Sequence, residues 1–241
     1  MNLKHLVLAI GVALALLPAN TAEAGLITYG SRSAFDAATG GLLPTETFEE
    51  GNVAPLGIVS CLGSLDASTS GDCFAPGDIL PGLQLRNSPV VAPDGFALLG
   101  AGYADVSTTV LFVNDCWDVL RLDLSPGVNA IGFDLYSLFS ESALDVAVYG
   151  SSGLLALYSV PTTNVGPGTF FGLRSTSDFI TGMTISSPTI QAEGIDNVSF
   201  GSVPEPGPLM LLGSAFLGLG IRRWRETRVA RASAFARTWA G

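Results

Sequence analysis

Ala130–Ile131–Gly132–Phe133–Asp134–Leu135–Tyr136 sets Ile131, Phe133 and Leu135 on one side of an extended chain and Gly132, Asp134 and Tyr136 on the other. Side chains in a strand alternate with a period of two, so this stretch predicts a strand with one fully apolar face. Leu144, Val146 and Val148 alternate with Asp145, Ala147 and Tyr149 in the same way. Working outward, strand patterns fall at 45–49, 81–86, 95–99, 108–113, 119–124, 154–159, 169–173, 179–185 and 195–200. Pro81–Gly82, Pro126–Gly127 and Ser152–Gly153 supply turns between them. This rhythm predicts an all-β fold, a β-sandwich. No long helical pattern sits between strands, which excludes repeated βαβ units. One short helix is expected over Arg32–Ala38, with Ser31 as its N-cap and Gly40–Gly41 as its stop.

Composition agrees. The chain of 241 residues is 48% hydrophobic and 13% charged, with 29 Gly and 14 Pro. That suits a turn-rich β domain and not a disordered chain, which lacks such apolar content. The charges are segregated. Residues 25–203 hold four arginines (32, 86, 121 and 174) against 18 acidic residues, a formal −14. A nucleic-acid binder needs clustered cations to neutralise phosphates, so that class is excluded. The chain has one His, His5, and one Lys, Lys4, both in its first five residues. The middle of the chain is thus without an imidazole or an amine, and carboxylates are the main groups left for acid–base chemistry.

The two ends read as targeting segments. Lys4 and His5 precede an apolar run from Leu6 to Leu17, and Ala22–Glu23–Ala24 follows as a small-residue cleavage signal. Residues 1–24 are therefore expected to form a signal helix cut after Ala24, leading to export. Near the other end, Val203–Pro204–Glu205–Pro206 precedes an uncharged run, Leu209 to Ile221, and then Arg222, Arg223 and Arg225. Prolines end a folded domain, an apolar run enters a bilayer, and arginines stay on the cytoplasmic side. The run is short against a hydrocarbon core of about 30 Å, which suits a tail held only until it is processed.

Over 203–225 this order and spacing resembles the PEP-CTERM sorting signal. The resemblance implies an exported precursor held in the inner membrane, processed by exosortase, and then placed at the cell surface or outside the cell. It makes Val203, Pro204, Glu205 and Pro206 the sorting motif and Arg222, Arg223 and Arg225 the stop-transfer patch. The chain divides into a signal peptide at 1–24, a β-sandwich ectodomain at 25–202, the sorting signal with its transmembrane helix at 203–225, and a basic cytoplasmic tail at 226–241. This last segment runs past the usual end of the signal and reads either as an extension without a role or as an amphipathic segment on the inner leaflet.

Thr47–Phe48–Glu49, residues 130–134 and Ile195–Asp196–Asn197–Val198–Ser199–Phe200 also resemble jelly-roll, carbohydrate-binding-module-like sandwiches. That resemblance implies a structural calcium ion shared by Glu49 and Asp196. The competing reading has Glu49 solvated and Asp196 capping a turn with Asn197. Asn114–Asp115–Cys116–Trp117–Asp118 clusters oxygens without the spacing of a calcium loop. Trp117 is expected in the core, with stacking on a sugar as its alternative role. Among Cys61, Cys73 and Cys116, a Cys61–Cys73 disulfide would close the loop between them, with other pairings open.

Three functions fit. The leading one is a non-catalytic surface or matrix protein that binds extracellular polysaccharide. The second is a secreted glycoside hydrolase using two carboxylates. The third is a purely structural surface protein with no ligand.

Overall fold

The computed structural model describes residues 25–41, 43–88, 95–163 and 166–204. Its strands are β1 (Leu26–Tyr29), β2 (Thr45–Glu46), β3 (Ile58–Leu62), β4 (Leu65–Asp66), β5 (Leu83–Ser88), β6 (Gly95–Leu99) and β7 (Val110–Val113), continuing with β8 (Val119–Leu124), β9 (Ala130–Ser137), β10 (Ala143–Gly150), β11 (Gly153–Pro161), β12 (Thr169–Ser175), β13 (Ile180–Ser186) and β14 (Glu193–Gly201). One helix, α1 (Arg32–Thr39), precedes β2. The larger sheet runs β1-β12-β9-β14-β7-β6-β3, with β2 added to β14, and the smaller runs β11-β10-β13-β8-β5-β4. The chain is all-β as read, and every predicted strand region has a counterpart.

Period-two patterning explains the layering. On β9, Ile131, Phe133 and Leu135 are all 0% exposed and face the smaller sheet, whose Leu144, Val146 and Val148 on β10 are equally buried. The Tyr158 ring of β11 meets the Phe171 ring of β12 at 5.4 Å, which fixes one contact between the layers. Burial of this one continuous core drives the fold.

The other face of β9 is also covered, because α1 lies on it. Ser31 caps the helix by accepting from the Ala34 N–H, and Gly40 ends it at φ +77°, a left-handed conformation in which a side chain is strained. Phe35 is 0% exposed and sits over Gly132 and Gly172, which lie directly opposite each other on β9 and β12. The alternation that makes 131–136 a strand thus leaves a hole at Gly132 for a helix side chain to fill.

The disulfide joins Cys61 and Cys73, with Cα atoms 5.6 Å apart, and Cys116 is a half-buried free thiol. Trp117 differs from expectation: it is 56% exposed. Its backbone N–H binds Asp115 Oδ1 and the Asp118 N–H binds the Asp115 carbonyl, so Trp117 rides on a tight turn, and its neighbour Asp118 takes the inward position instead.

The compact unit runs through Val203. Asn129 clamps that residue from both sides: Val203 N–H donates to Asn129 Oδ1 at 2.7 Å, and Asn129 Nδ2 donates to the Val203 carbonyl at 3.0 Å. Asn129→Ala should therefore lower stability by about 1–2 kcal/mol, because two backbone groups lose their partners. Chemical denaturation of the full chain measures it; an unchanged midpoint would show that Val203 holds its place by burial alone.

Candidate functional site

Between the helix and the loop before β7, the larger sheet carries a polar strip on its outer face. A bulge in β14 builds it. Asp196 pairs with Asp134 and Ser199 pairs with Gly132, so β14 spends three steps where β9 spends two. The extra residue, Asn197, has φ 51°, a left-handed conformation that asparagine tolerates better than most residues. The bulge lets Ile195, Val198 and Phe200 stay in the core while Asp196, Asn197 and Ser199 share the outer face. It lies where β14 changes its second neighbour from β7 to β2.

The strip is closely hydrogen-bonded. Asn197 Nδ2 donates to Asp134 Oδ2 at 3.0 Å and to Asp196 Oδ2 at 2.9 Å, so one amide holds two carboxylates together. Asp196 also accepts from Thr108 Oγ1 and from the Asn197 N–H, each at 2.6 Å. From α1, Arg32 Nη2 reaches Asp134 Oδ2 at 3.2 Å and the Asn197 carbonyl at 2.8 Å, while Nη1 reaches Ser199 Oγ at 3.1 Å. The guanidinium lies 4.7 Å from the centre of the Phe170 ring. A cleft of about 680 Å³ opens here, lined among others by Arg32, Asp36, Asp134, Phe170, Asn197 and Ser199.

The two bridged acids differ. Asp196 is fully enclosed, and burial pushes its pKa up to about 7, with the Asp134 and Glu49 charges adding to the rise against the Thr108 and Asn197 hydrogen bonds. Asp134 is also raised by burial, but Arg32 and Asn197 offset part of that. Arg32 is the cation of the site, and it pairs with Asp134 rather than with Asp196.

Glu49 and Asp196 come together through consecutive threonines. Glu49 Oε1 accepts from the Thr109 N–H at 2.9 Å and Oε2 from Thr109 Oγ1 at 3.0 Å, next to the Thr108 bond to Asp196. All four carboxylate oxygens of this pair already accept a hydrogen bond, so a calcium ion there would share oxygens that the protein has engaged. Among the described residues, no three His, Cys, Asp or Glu side chains converge on a metal position. Of the sorting residues, Val203 and Pro204 are described; Glu205, Pro206, Arg222, Arg223 and Arg225 lie outside the described residues, as do residues 1–24 and 209–221. No helix among the described residues is long and apolar enough to cross a membrane. Arg32, Thr108 and Phe170 were not expected in a site. The signal for Arg32 was its rarity, one of four cations in an acidic domain.

Residues 202–225 match the PEP-CTERM protein-sorting motif. The chain carries a PEP-CTERM sorting signal. That signal marks an exported precursor and implies processing by exosortase. No curated protein matches the chain. Among solved structures, it is similar to the enzymatically active domain of bacteriophage CBA120 tailspike protein 4, at 14% identity and a TM-score of 0.23, over 65% of this chain. The chain spans 20% of the length of that one.

Proposed function

We propose that this is an exosortase-sorted cell-surface or matrix protein, held in the inner membrane by residues 209–221 until processing, whose sandwich binds extracellular polysaccharide without catalysis. The observation that carries the binding half is the Arg32–Asp134–Asn197 network beside Phe170. A sugar offers a rim of hydroxyls and apolar ring faces, and a cleft with a few fixed polar groups next to an aromatic surface suits both. Arg32 spends three of its five N–H donors on described residues, which leaves donors for a ligand. The network is already in place, so little ordering would oppose binding.

The non-catalytic reading is supported by the enclosure of Asp196. A glycosidase needs both carboxylates to face the scissile bond. Here Asp134 lines the cleft and is paired with Arg32, while its neighbour Asp196 is 0% exposed.

Screening the full chain against bacterial and plant polysaccharides tests the proposal. Binding to at least one is expected, with Arg32→Ala weakening it by about tenfold or more, a loss of about 1.4 kcal/mol. Equal binding by Arg32→Ala would move the ligand off this cleft, and failure across the panel would leave the purely structural protein. Mass spectrometry of the protein from its host checks the sorting half: a mature start at Gly25 and loss of the segment after the Pro-Glu-Pro motif are expected.

A further inference from the structure

Away from the cleft, two acids are buried between the sheets. Glu193 opens β14 opposite Ser137 and shares the inward face of Ile195. Asp118 immediately precedes β8 and has the inward parity of Leu120 and Leu122. Glu193 is 0% exposed and Asp118 is 3% exposed. β14 pairs with β7 at Gly194 opposite Phe112, so Glu193 stands beside the end of β7, from which residues 114–117 lead directly to Asp118; the Asp118 charge is felt at Glu193.

Their hydrogen bonding is unequal. Asp118 Oδ2 accepts from Asn87 Nδ2 at 2.9 Å, and the same amide donates to the Gly95 carbonyl at 2.6 Å, which links β5 to the start of β6. Neither oxygen of Glu193 has a hydrogen-bond partner among the described residues. The N–H groups of Ser187 and of Glu193 itself lie near that carboxyl and favour its anion, but outside hydrogen-bonding geometry. Among the described residues, no arginine or other cation forms an ion pair with Glu193.

A buried carboxyl with two unanswered oxygens is costly, and a second acid beside it raises the cost. Protonation removes the charge of Glu193 and gives it one O–H to donate, but leaves its other oxygen without a hydrogen bond. A cation answers both problems at once. The contrast with Glu49 and Asp196 is direct: there every oxygen is engaged, and here both oxygens of one carboxylate are open.

We propose that Glu193 and Asp118 hold a hard divalent cation, of the calcium class, that ties the two sheets together. Glu193 supplies two oxygens and Asp118 a third, with backbone carbonyls and water completing the six to eight that calcium takes. Only two carboxylates take part, which places the affinity in the range of extracellular modules, on the order of 10⁻⁴–10⁻³ M. The site lies next to the Asn114–Asp118 turn, so Trp117 is the peptide neighbour of a ligand.

Thermal melts of the full chain in detergent, in EDTA and in 10 mM calcium chloride, test this. Calcium should raise the melting temperature by about 5 °C. Glu193→Gln keeps the shape of the side chain and removes its charge, and should abolish the shift, while Glu49→Gln and Asp196→Asn should keep it. No shift in the parent chain, or a full shift in Glu193→Gln, would overturn the assignment. So would a shift lost only in Glu49→Gln or Asp196→Asn, which would place the ion there. Terbium luminescence excited through tryptophan gives a second reading that needs no change in the core. Trp117→Phe should remove most of the calcium-displaceable emission, and undiminished emission would place the ion elsewhere.

Discussion

Gly132→Val is expected to cost the domain about 3 kcal/mol or more and to abolish binding in the cleft with it. A Cβ at this position would lie 2.8 Å from Phe170 Cζ and 3.0 Å from Phe35 Cε1, too close for either ring to stay. Valine adds two further carbons in the same space. Both rings are tied to the site: Phe35 seats the helix that carries Arg32, and Phe170 is the ring under the Arg32 guanidinium. Lifting either one breaks the Arg32–Asp134 pair. Phe35→Ala alone should cost about 3–5 kcal/mol through the cavity it leaves. The double variant decides the mechanism. If valine is excluded by Phe35, removing that ring makes room, and the two losses combine to at least about 1 kcal/mol less than their sum. Strict additivity, measured by denaturant unfolding, would mean that glycine is required at 132 for a reason other than the seat of the helix.

That seat shows how far the sequence could be read. The alternation around Ile131 and Phe133 is local, and it announced β9. The helix was equally open, because Ser31 and Gly40–Gly41 are signals within one turn of its ends. The strands that escaped notice lack such a pattern. β4 has two residues, and β1 and β3 have exposed Ile27, Ile58 and Leu62 where an alternating strand would place polar groups. They are strands because neighbours pair with them.

The site was hidden for a related reason. Asp134 and Asn197 were visible as markers of strands, but their meeting depends on residues 63 positions apart and on a bulge that exists only once β14 pairs with β9. Arg32 comes from 102 positions before Asp134. Nothing in local patterning says that a half-buried helix residue will reach across to a buried acid. Trp117 failed in the opposite direction: residue type favoured the core, and a tight turn set at Asp115 left it outside.

The enclosure of Asp196 predicts that the protein loses stability as pH rises through neutrality, the reverse of ordinary acid denaturation. In the unfolded chain this carboxyl titrates near its ordinary value of 3.8, and in the fold burial pushes it to about 7. Between those values the native state keeps a proton that the unfolded chain has released, so folding weakens with each step up in pH. The advantage is complete below roughly pH 4 and gone above roughly pH 7, and across that span it amounts to on the order of 4 kcal/mol. In EDTA, Glu193 acts in the same sense, with burial raising it to about 8. Unfolding the full chain by urea in EDTA at pH 5, 6, 7 and 8 should therefore give a falling series of midpoints. Asp196→Asn keeps the donor and acceptor geometry near that of the protonated acid and cannot ionise. It should lie close to the parent at pH 5, decline less steeply and exceed the parent at pH 8. A parent curve that is flat or rises over this range would mean that Asp196 is ionised in the fold, with its charge answered by Thr108 and Asn197, and the distinction between the two bridged acids would be lost.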